Sequence, residues 1–335
     1  MHFMKKTTYW RMTLAALVSV VGLASANAVD VGVEGFVSVG TDMNKSGNKF
    51  GYNVDRLRLL FNQKLDDKWS FASRIQNAGA AATGTFKIFE AQFKGKGIFM
   101  EGDTFHFGAQ NHPLHEFWYS TMGTRWIAKS AGHEDVKFTP WTNGVRWGKE
   151  FGMFGIDFFH ASAEASDITD RDDNGQDTSF AFILEPMEHL NMILNYGVET
   201  RDDKTANGHT TISFATTYAT PKLKVGFDYH TKSDDLSEAN SGDTKKDADT
   251  VMGLQVHYNW SDKHGIFLGY TGGYESKDGA NSTGETKESI IKFGPTCKFA
   301  GGKAKGGLFY QTATSQTSGS DPVNSLMMTF AGKWF

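Results

Sequence analysis

The chain reads as an all-β protein, a transmembrane antiparallel β-barrel of about sixteen strands. Three observations predict this. Apolar and polar residues alternate with period two in segments of about ten residues. The connections between the segments are alternately short and long. Aromatic residues gather at segment ends, as interface girdles do. The composition agrees: 37 Gly and 27 Phe against 6 Pro, with only 39% hydrophobic residues, fits a closed β-architecture better than a helical one. A single cysteine, Cys297, leaves no intrachain disulfide framework. A net charge of −4 gives no basis for nucleic-acid binding.

The N-terminus sets the compartment. Lys5, Lys6 and Arg11 precede the apolar run "MTLAALVSVVGL", which is too short to span a bilayer as a helix, and "ASANA" supplies small residues for cleavage. Residues 1–28 are therefore expected to be a cleaved secretory signal peptide, and 29–335 one barrel domain. Losing three leader cations makes the mature chain more acidic still.

Taken in order, the first segment, "VDVGVEGFVSVG", puts Val29, Val31, Val33, Val37 and Val39 on one face and Asp30, Glu34 and Ser38 on the other. In "DRLRLLFNQ", Leu57, Leu59 and Phe61 oppose Arg56 and Arg58. The third segment sets Phe71, Ser73 and Ile75 against Arg74. Further segments are expected to start near residues 84 and 98. The sixth, near 142, sets Val145 and Trp147 against Arg146, and another follows near 153. "TSFAFILE" and "NMILNYGVE" carry Phe180, Phe182 and Leu184, then Met192, Leu194, Tyr196 and Val198. After a segment near 209, "LKVGFDYH" places Leu223, Val225, Phe227 and Tyr229 opposite Lys224, Asp228 and His230. "VMGLQVHYNW" places Met252, Leu254, Val256, Tyr258 and Trp260 opposite Gln255, His257 and Asn259. The remaining segments start near 264, 286, 304 and 322. In the one near 286, Cys297 shares the phase of Ile291, Phe293 and Phe299 and is expected to face lipid, while Pro295 predicts a bulge or an edge.

Short connections such as "KLDDK", "GKG", "TPK" and "SDKH" alternate with long polar ones such as "SAEASDITDRDDNG" and "KSDDLSEANSGDTKKDA". Turns on one rim and loops on the other belong to a membrane barrel. A soluble secreted β-sandwich or β-helix would show the same alternation, because a sandwich also buries one face. The loop rhythm and the aromatics at Trp69, Trp147, Tyr218, Trp260, Phe299 and Trp334 favour the barrel.

The last segment, "LMMTFAGKWF", closes on Phe335. It resembles the terminal assembly signal of Gram-negative outer-membrane proteins, with Lys333 standing where that signal carries an aromatic. Phe330 and Trp334 lie in the other phase, so this segment assigns neither face to lipid. The stretch "NHPLHEFWYSTMGTRWIAKSAGHEDVKFTPW" breaks the rhythm and is the third long loop. The chain resembles the general porins, in which this loop folds into the barrel and narrows it. The resemblance implies residues 109–141 as a constriction loop. Physically, a sixteen-stranded barrel leaves an aqueous channel that one inward loop would restrict. Phe117, Trp118, Trp126, Phe138 and Trp141 are its candidate anchors. His112, His115, Glu116, Arg125, Lys129, Glu134 and Asp135 are its candidate water-facing groups. "NVDRLRLLFNQKLDDKWSFASRIQ", "FHFGAQNHPLHEF" and "NGVRWGKEFGMFGIDFFHA" resemble the phosphate-selective group of trimeric porins.

Arg56, Arg58, Arg74 and Arg146 are expected to face the interior as a basic wall opposite Glu116, Glu134 and Asp135. Opposed charges across a constriction would orient solutes and set ion preference. The alternative is that the arginines are paired with carboxylates such as Glu90 and screened. His106, His112, His115 and His133 match no metal-ligand spacing, and the acidic loops lack the calcium-loop frame, so no cofactor is expected.

The function expected is passive diffusion of small hydrophilic solutes and ions across a bacterial outer membrane. An anion- or phosphate-selective channel is the alternative, and an outer-membrane barrel enzyme or a structural or adhesive barrel is a second. No G-x-S-x-G motif supports the enzyme. Expected partners are outer-membrane lipids and lipopolysaccharide, small solutes and, from the resemblance, two further copies of the chain.

Overall fold

The computed structural model describes residues 29–42, 51–77, 86–122, 141–162, 176–200, 209–234, 248–276, 286–315 and 322–334. Sixteen strands close into one antiparallel barrel. They are β1 (Asp30–Asp42), β2 (Gly51–Lys64), β3 (Trp69–Asn77), β4 (Phe86–Lys96), β5 (Asp103–Asn111), β6 (Trp141–Phe151), β7 (Phe154–Ser162) and β8 (Gln176–Met187). There follow β9 (Leu190–Thr200), β10 (His209–Ala219), β11 (Leu223–Asp234), β12 (Ala248–Asn259), β13 (His264–Ser276), β14 (Thr286–Phe299), β15 (Ala304–Ser315) and β16 (Val323–Trp334). Each strand pairs with its sequence neighbours, and β1 pairs with β16 to seal the cylinder. Among the described residues one α-helix, α1 (Pro113–Met122), interrupts the run between β5 and β6.

The side-chain pattern is inside out. Phe182 is 62% exposed on the outer face, and Phe180, Leu194, Tyr196, Met252, Leu254, Ile266, Leu268, Phe293 and Met328 share that face. Asn195, Ser213, Asp228, His230 and Gln255 are buried on the inner face. A soluble sandwich would reverse this arrangement, since water would claim the polar face. No described helix is long and apolar enough to cross a membrane.

The short connections form one rim. In the β2–β3 turn the Asp66 carboxylate accepts hydrogen bonds from the Lys68 and Trp69 amides, both at 2.7 Å. The β8–β9 turn holds His189 at φ 72°, a left-handed conformation that β-branched residues resist. Between β4 and β5 the turn runs from Gly97 to Gly102, so β5 starts at Asp103 and not near 98. The Asp103 carboxylate accepts hydrogen bonds from the Ile98, Phe99 and Met100 amides at 2.8, 3.1 and 3.1 Å, which fixes this turn. Its apolar residues read as strand in sequence, yet Phe99 and Met100 sit exposed on the rim.

Pro295 introduces neither a bulge nor an edge. β14 keeps one register against β15 on both sides of it, from Phe293↔Tyr310 to Thr296↔Gly307. The missing donor costs only the local pairing. Beside it, a Cβ on Gly294 would meet the Leu308 carbonyl at 1.9 Å, so the two backbones approach closely there. Leu326, Met328 and Phe330 of β16 face outward, which assigns the phase that the terminal segment left open.

Candidate functional site: the interior of the barrel

The helix α1 is built by its own short sequence. Pro113 occupies the first helical turn, where its missing N–H costs nothing. The His112 Nδ1 accepts a hydrogen bond from the Leu114 amide at 3.3 Å, and the Glu116 amide donates to the His112 carbonyl at 3.2 Å. Glu116 lies in the first turn, where a carboxylate suits the helix dipole. Leu114, Phe117, Trp118 and Met122 recur at helical spacing and are buried together against Ala181, Ile193, Ala215 and Val251. Those four belong to the inner faces of β8, β9, β10 and β12, so α1 lies inside the barrel along that wall. Gly226 of β11 makes room for it: a Cβ there would stand 2.9 Å from the Trp118 ring and 3.0 Å from the Met122 methyl.

Polar ties hold the helix at three points. The His112 Nε2 is hydrogen-bonded to Ser179 Oγ at 3.1 Å. Lys224 Nζ donates to the Met122 carbonyl at 2.8 Å and so satisfies one of the open carbonyls at the helix end. Glu116 is ion-paired with Arg146 of β6. Arg146 also grips Asp157 of β7, its Nε donating to both carboxylate oxygens at 2.9 and 2.7 Å. Partial desolvation pushes the Glu116 carboxyl upward, but the charges of Arg146 and Lys94 outweigh it and hold the group below the usual carboxylate range.

The two walls of the interior differ in charge. On the β1–β7 side, Arg58 meets Glu34 at 3.5 Å and donates to Gln76 at 2.7 Å, and Arg74 meets Glu90 at 2.7 Å with Lys94 at 3.6 Å from the same carboxylate. With Arg146, these are four cations against four carboxylates, so the arginine wall is close to neutral. On the β11–β15 side, Lys224, Lys298 and Lys305 line a cavity of about 440 Å³ near the short-turn rim. None of these three has a carboxylate within ion-pair distance among the described residues. A second inner-wall group, the fully buried Asp228–His230 pair at 2.9 Å, stands cross-strand from the fully buried Ser213. These buried groups present no accessible nucleophile.

No protein-family model matches the chain, and no curated protein matches it. Solved structures do. An anion-selective porin from Comamonas acidovorans is 12% identical with a TM-score of 0.69, over 92% of this chain and 100% of that one. OmpF of Salmonella typhi is 10% identical with a TM-score of 0.67, over 92% and 98%. In-vitro folded OmpT of Vibrio cholerae, in a trimer form, is 12% identical with a TM-score of 0.67, over 92% and 99%. The chain has the fold of the outer-membrane porins.

Within this porin fold the sequence-predicted residues separate into three groups. Arg58, Arg74, Arg146, His112 and Glu116 are placed in the interior as described. For Arg56 the backbone lies opposite Phe36 on β1, but its side chain, like that of His115, lies outside the described residues. Arg125, Lys129, Glu134 and Asp135, with the anchors Trp126 and Phe138, also lie outside them. Glu116 does not stand across the channel from Arg146 as a field-forming pair; the two are in contact. Sequence reasoning missed α1, although Pro113, Glu116 and the spacing of Leu114, Phe117, Trp118 and Met122 carry a helix signal. It also missed Lys298 and Lys305, which become neighbours only through strand register.

Proposed function

We propose that this chain is an outer-membrane porin, a water-filled channel through which small hydrophilic solutes and ions diffuse passively. The observation that carries the reading is the inside-out closed barrel with a loop-borne helix bound to its inner wall. In this reading the loop of residues 109–141 is the constriction, and α1 is its anchored first half. Residues 1–28 are the cleaved leader, and 29–335 form the one barrel domain. The outer apolar face contacts membrane lipid and lipopolysaccharide. No catalysis and no cofactor are invoked. Diffusion needs only a polar path of limited width, which partly exposed interior groups such as Lys94 and Glu116 furnish.

The chain is further read as a homotrimer. Its outer face carries a dense aromatic cluster on β3–β5, with Phe93 stacked on Phe107 at 4.9 Å and Trp69 edge-on to both Phe105 and Phe107. Rigid aromatic area of this kind suits protein contact.

Planar-bilayer recording of the purified protein in a salt gradient tests the channel. Large conductance steps in groups of three are expected. Absence of any steps from protein that is folded by circular dichroism would end the open-channel reading.

A further inference from the structure

The seat of α1 holds polar groups that are buried with no hydrogen-bond partner among the described residues. They are the Trp118 indole N–H on the helix, the Ser213 and Thr217 hydroxyls on β10 and the Asn195 side-chain amide on β9. The wall groups form one strip. Ser213, Ala215 and Thr217 are successive inner-face positions of β10. Asn195 lies cross-strand from Ser213 on one side and from Ala181 on the other. Thr217 lies cross-strand from Gly226, the residue against which the Trp118 ring sits. Ala181 and Ala215 belong to the apolar cluster that α1 completes, so the strip runs beneath the helix. Thr211, one inner-face position along β10 from Ser213, differs: its hydroxyl reaches the Gly197 carbonyl at 3.5 Å.

A buried donor or acceptor that makes no bond keeps its full desolvation cost, which contact with water removes. The seated helix therefore gains along its apolar face and loses along this strip. Lifting the helix reverses both effects. The seated and lifted states thus lie closer in free energy than the apolar contacts alone would set them. The ties are also unequal along the helix. His112 Nε2 with Ser179 Oγ, at 3.1 Å, and the Glu116–Arg146 ion pair hold the N-terminal turn. At the other end the described tie is a single hydrogen bond, from Lys224 Nζ to the Met122 carbonyl at 2.8 Å.

We propose that the C-terminal half of α1, residues 118–122, lifts reversibly from β10 and β11 into the barrel interior. It is a lid hinged at His112 and Glu116 and latched by Lys224. Its action on permeation rests on the channel reading above, whereas the lift itself rests on the seat.

The experiment measures how often the seat opens. A charged, water-soluble methanethiosulfonate is added to the folded, detergent-solubilised protein carrying Ser213→Cys in a Cys297→Ala background, and the rate of thiol modification is read. Slow but complete modification is expected. Lys224→Met, which removes the latch and keeps an unbranched stem, is expected to speed it about fivefold. Thr217→Val, which removes an unpartnered hydroxyl at nearly constant volume, is expected to slow it about tenfold. A general loosening of the barrel would not move the two variants in opposite directions. Modification that never occurs, or rates that do not shift oppositely, overturns the lift. If Ser213→Cys does not fold, Val251→Cys, in the same cluster beneath the helix, takes its place with the same expectations. Bilayer recordings then read the lid: brief partial closures should be more frequent in Lys224→Met and rarer in Thr217→Val. Closures that do not follow the labelling rates overturn the lid and leave the lift, and a barrel without conductance overturns the channel reading while labelling decides the lift.

Discussion

Glu116 on α1 and Arg146 on β6 are ion-paired inside the barrel, and Arg146 is held from its other side by Asp157. This makes Arg146 a clamp between the wall and the inward helix. Glu116→Gln removes the charge on the helix side and keeps Asp157 as a partner. Because the Glu116 side chain is 46% exposed, the cost is expected to be about 1 kcal/mol, well below that of a fully buried pair. The measurable outcome is greater current noise in single-channel recordings with little change in thermal stability. Quiet channels in Glu116→Gln would show that the apolar anchors alone hold α1.

The same pair predicts a pH dependence. The folded-state value of Glu116 is depressed by its cationic neighbours, which outweigh its partial desolvation. A depressed carboxylate contributes stability that is present above its unfolded-state value and lost as pH falls through the folded one. Channel noise should therefore stay constant from neutral pH down through the usual carboxylate range and rise only below it. Recordings at stepped pH check this, and noise that begins to rise near neutrality would contradict it.

Gly226 sets how close the helix lies to the wall. Gly226→Val places a branched side chain where a Cβ alone would come within 2.9 Å of Trp118 and 3.0 Å of Met122. Overpacking of this kind costs about 1–3 kcal/mol. The strain is relieved by shifting α1 away from β11 toward the barrel axis, so single-channel conductance should fall. An unchanged conductance together with an unchanged melting temperature would mean that the helix has slack to absorb the methyl groups.

On the outer face, Leu254 lies mid-strand on β12 and is exposed. Leu254→Arg should destabilise the barrel in a bilayer by about 2–4 kcal/mol, the range for a cation near the midplane. Denaturant titration in lipid vesicles reads this directly. A loss under about 0.5 kcal/mol would place this band outside the hydrocarbon.

Asp103 organises the β4–β5 turn through three backbone amides and also accepts from Trp147 Nε1 at 3.0 Å. Asp103→Ala leaves these donors without their acceptor. A loss of about 1–2 kcal/mol is expected, because these part-buried donors lose a charged acceptor and recover only part of it from water. Asp103→Asn should recover part of it, since the amide oxygen can still accept. Equal losses in the two variants would mean that the negative charge, and not acceptance alone, holds the turn.

The barrel was legible in sequence because a strand with lipid on one side and water on the other must alternate, and because hairpin turns and exposed loops differ in length. β6, β8, β11 and β16 begin within a residue or so of where alternation alone put them. The β5 start was misplaced because Ile98, Phe99 and Met100 look like strand yet form an apolar turn at the rim. The interior charges were legible only as to face. Arg58, Arg74 and Arg146 point inward, but their partners Glu34, Glu90 and Asp157 come from neighbouring strands, and register decides which carboxylate each one meets. The Lys298–Lys305 pair was hidden for the same reason. The helix was hidden differently: ten residues inside a long loop gave a 3.6-residue pattern amid residues read for aromatic content alone.

The pairing of β1 with β16 joins residues from opposite ends of the chain, from Val33↔Trp334 to Asp42↔Ser325. Every other strand pairs with a sequence neighbour and can zip as a hairpin. This seam alone must wait until all sixteen strands exist, so it carries the largest loop-closure entropy in the molecule. Until it forms, two unsatisfied edges face an apolar medium that offers no alternative partner. Closure is thus the commitment step of assembly, and the final strand acts as the latch that turns a curved sheet into a cylinder.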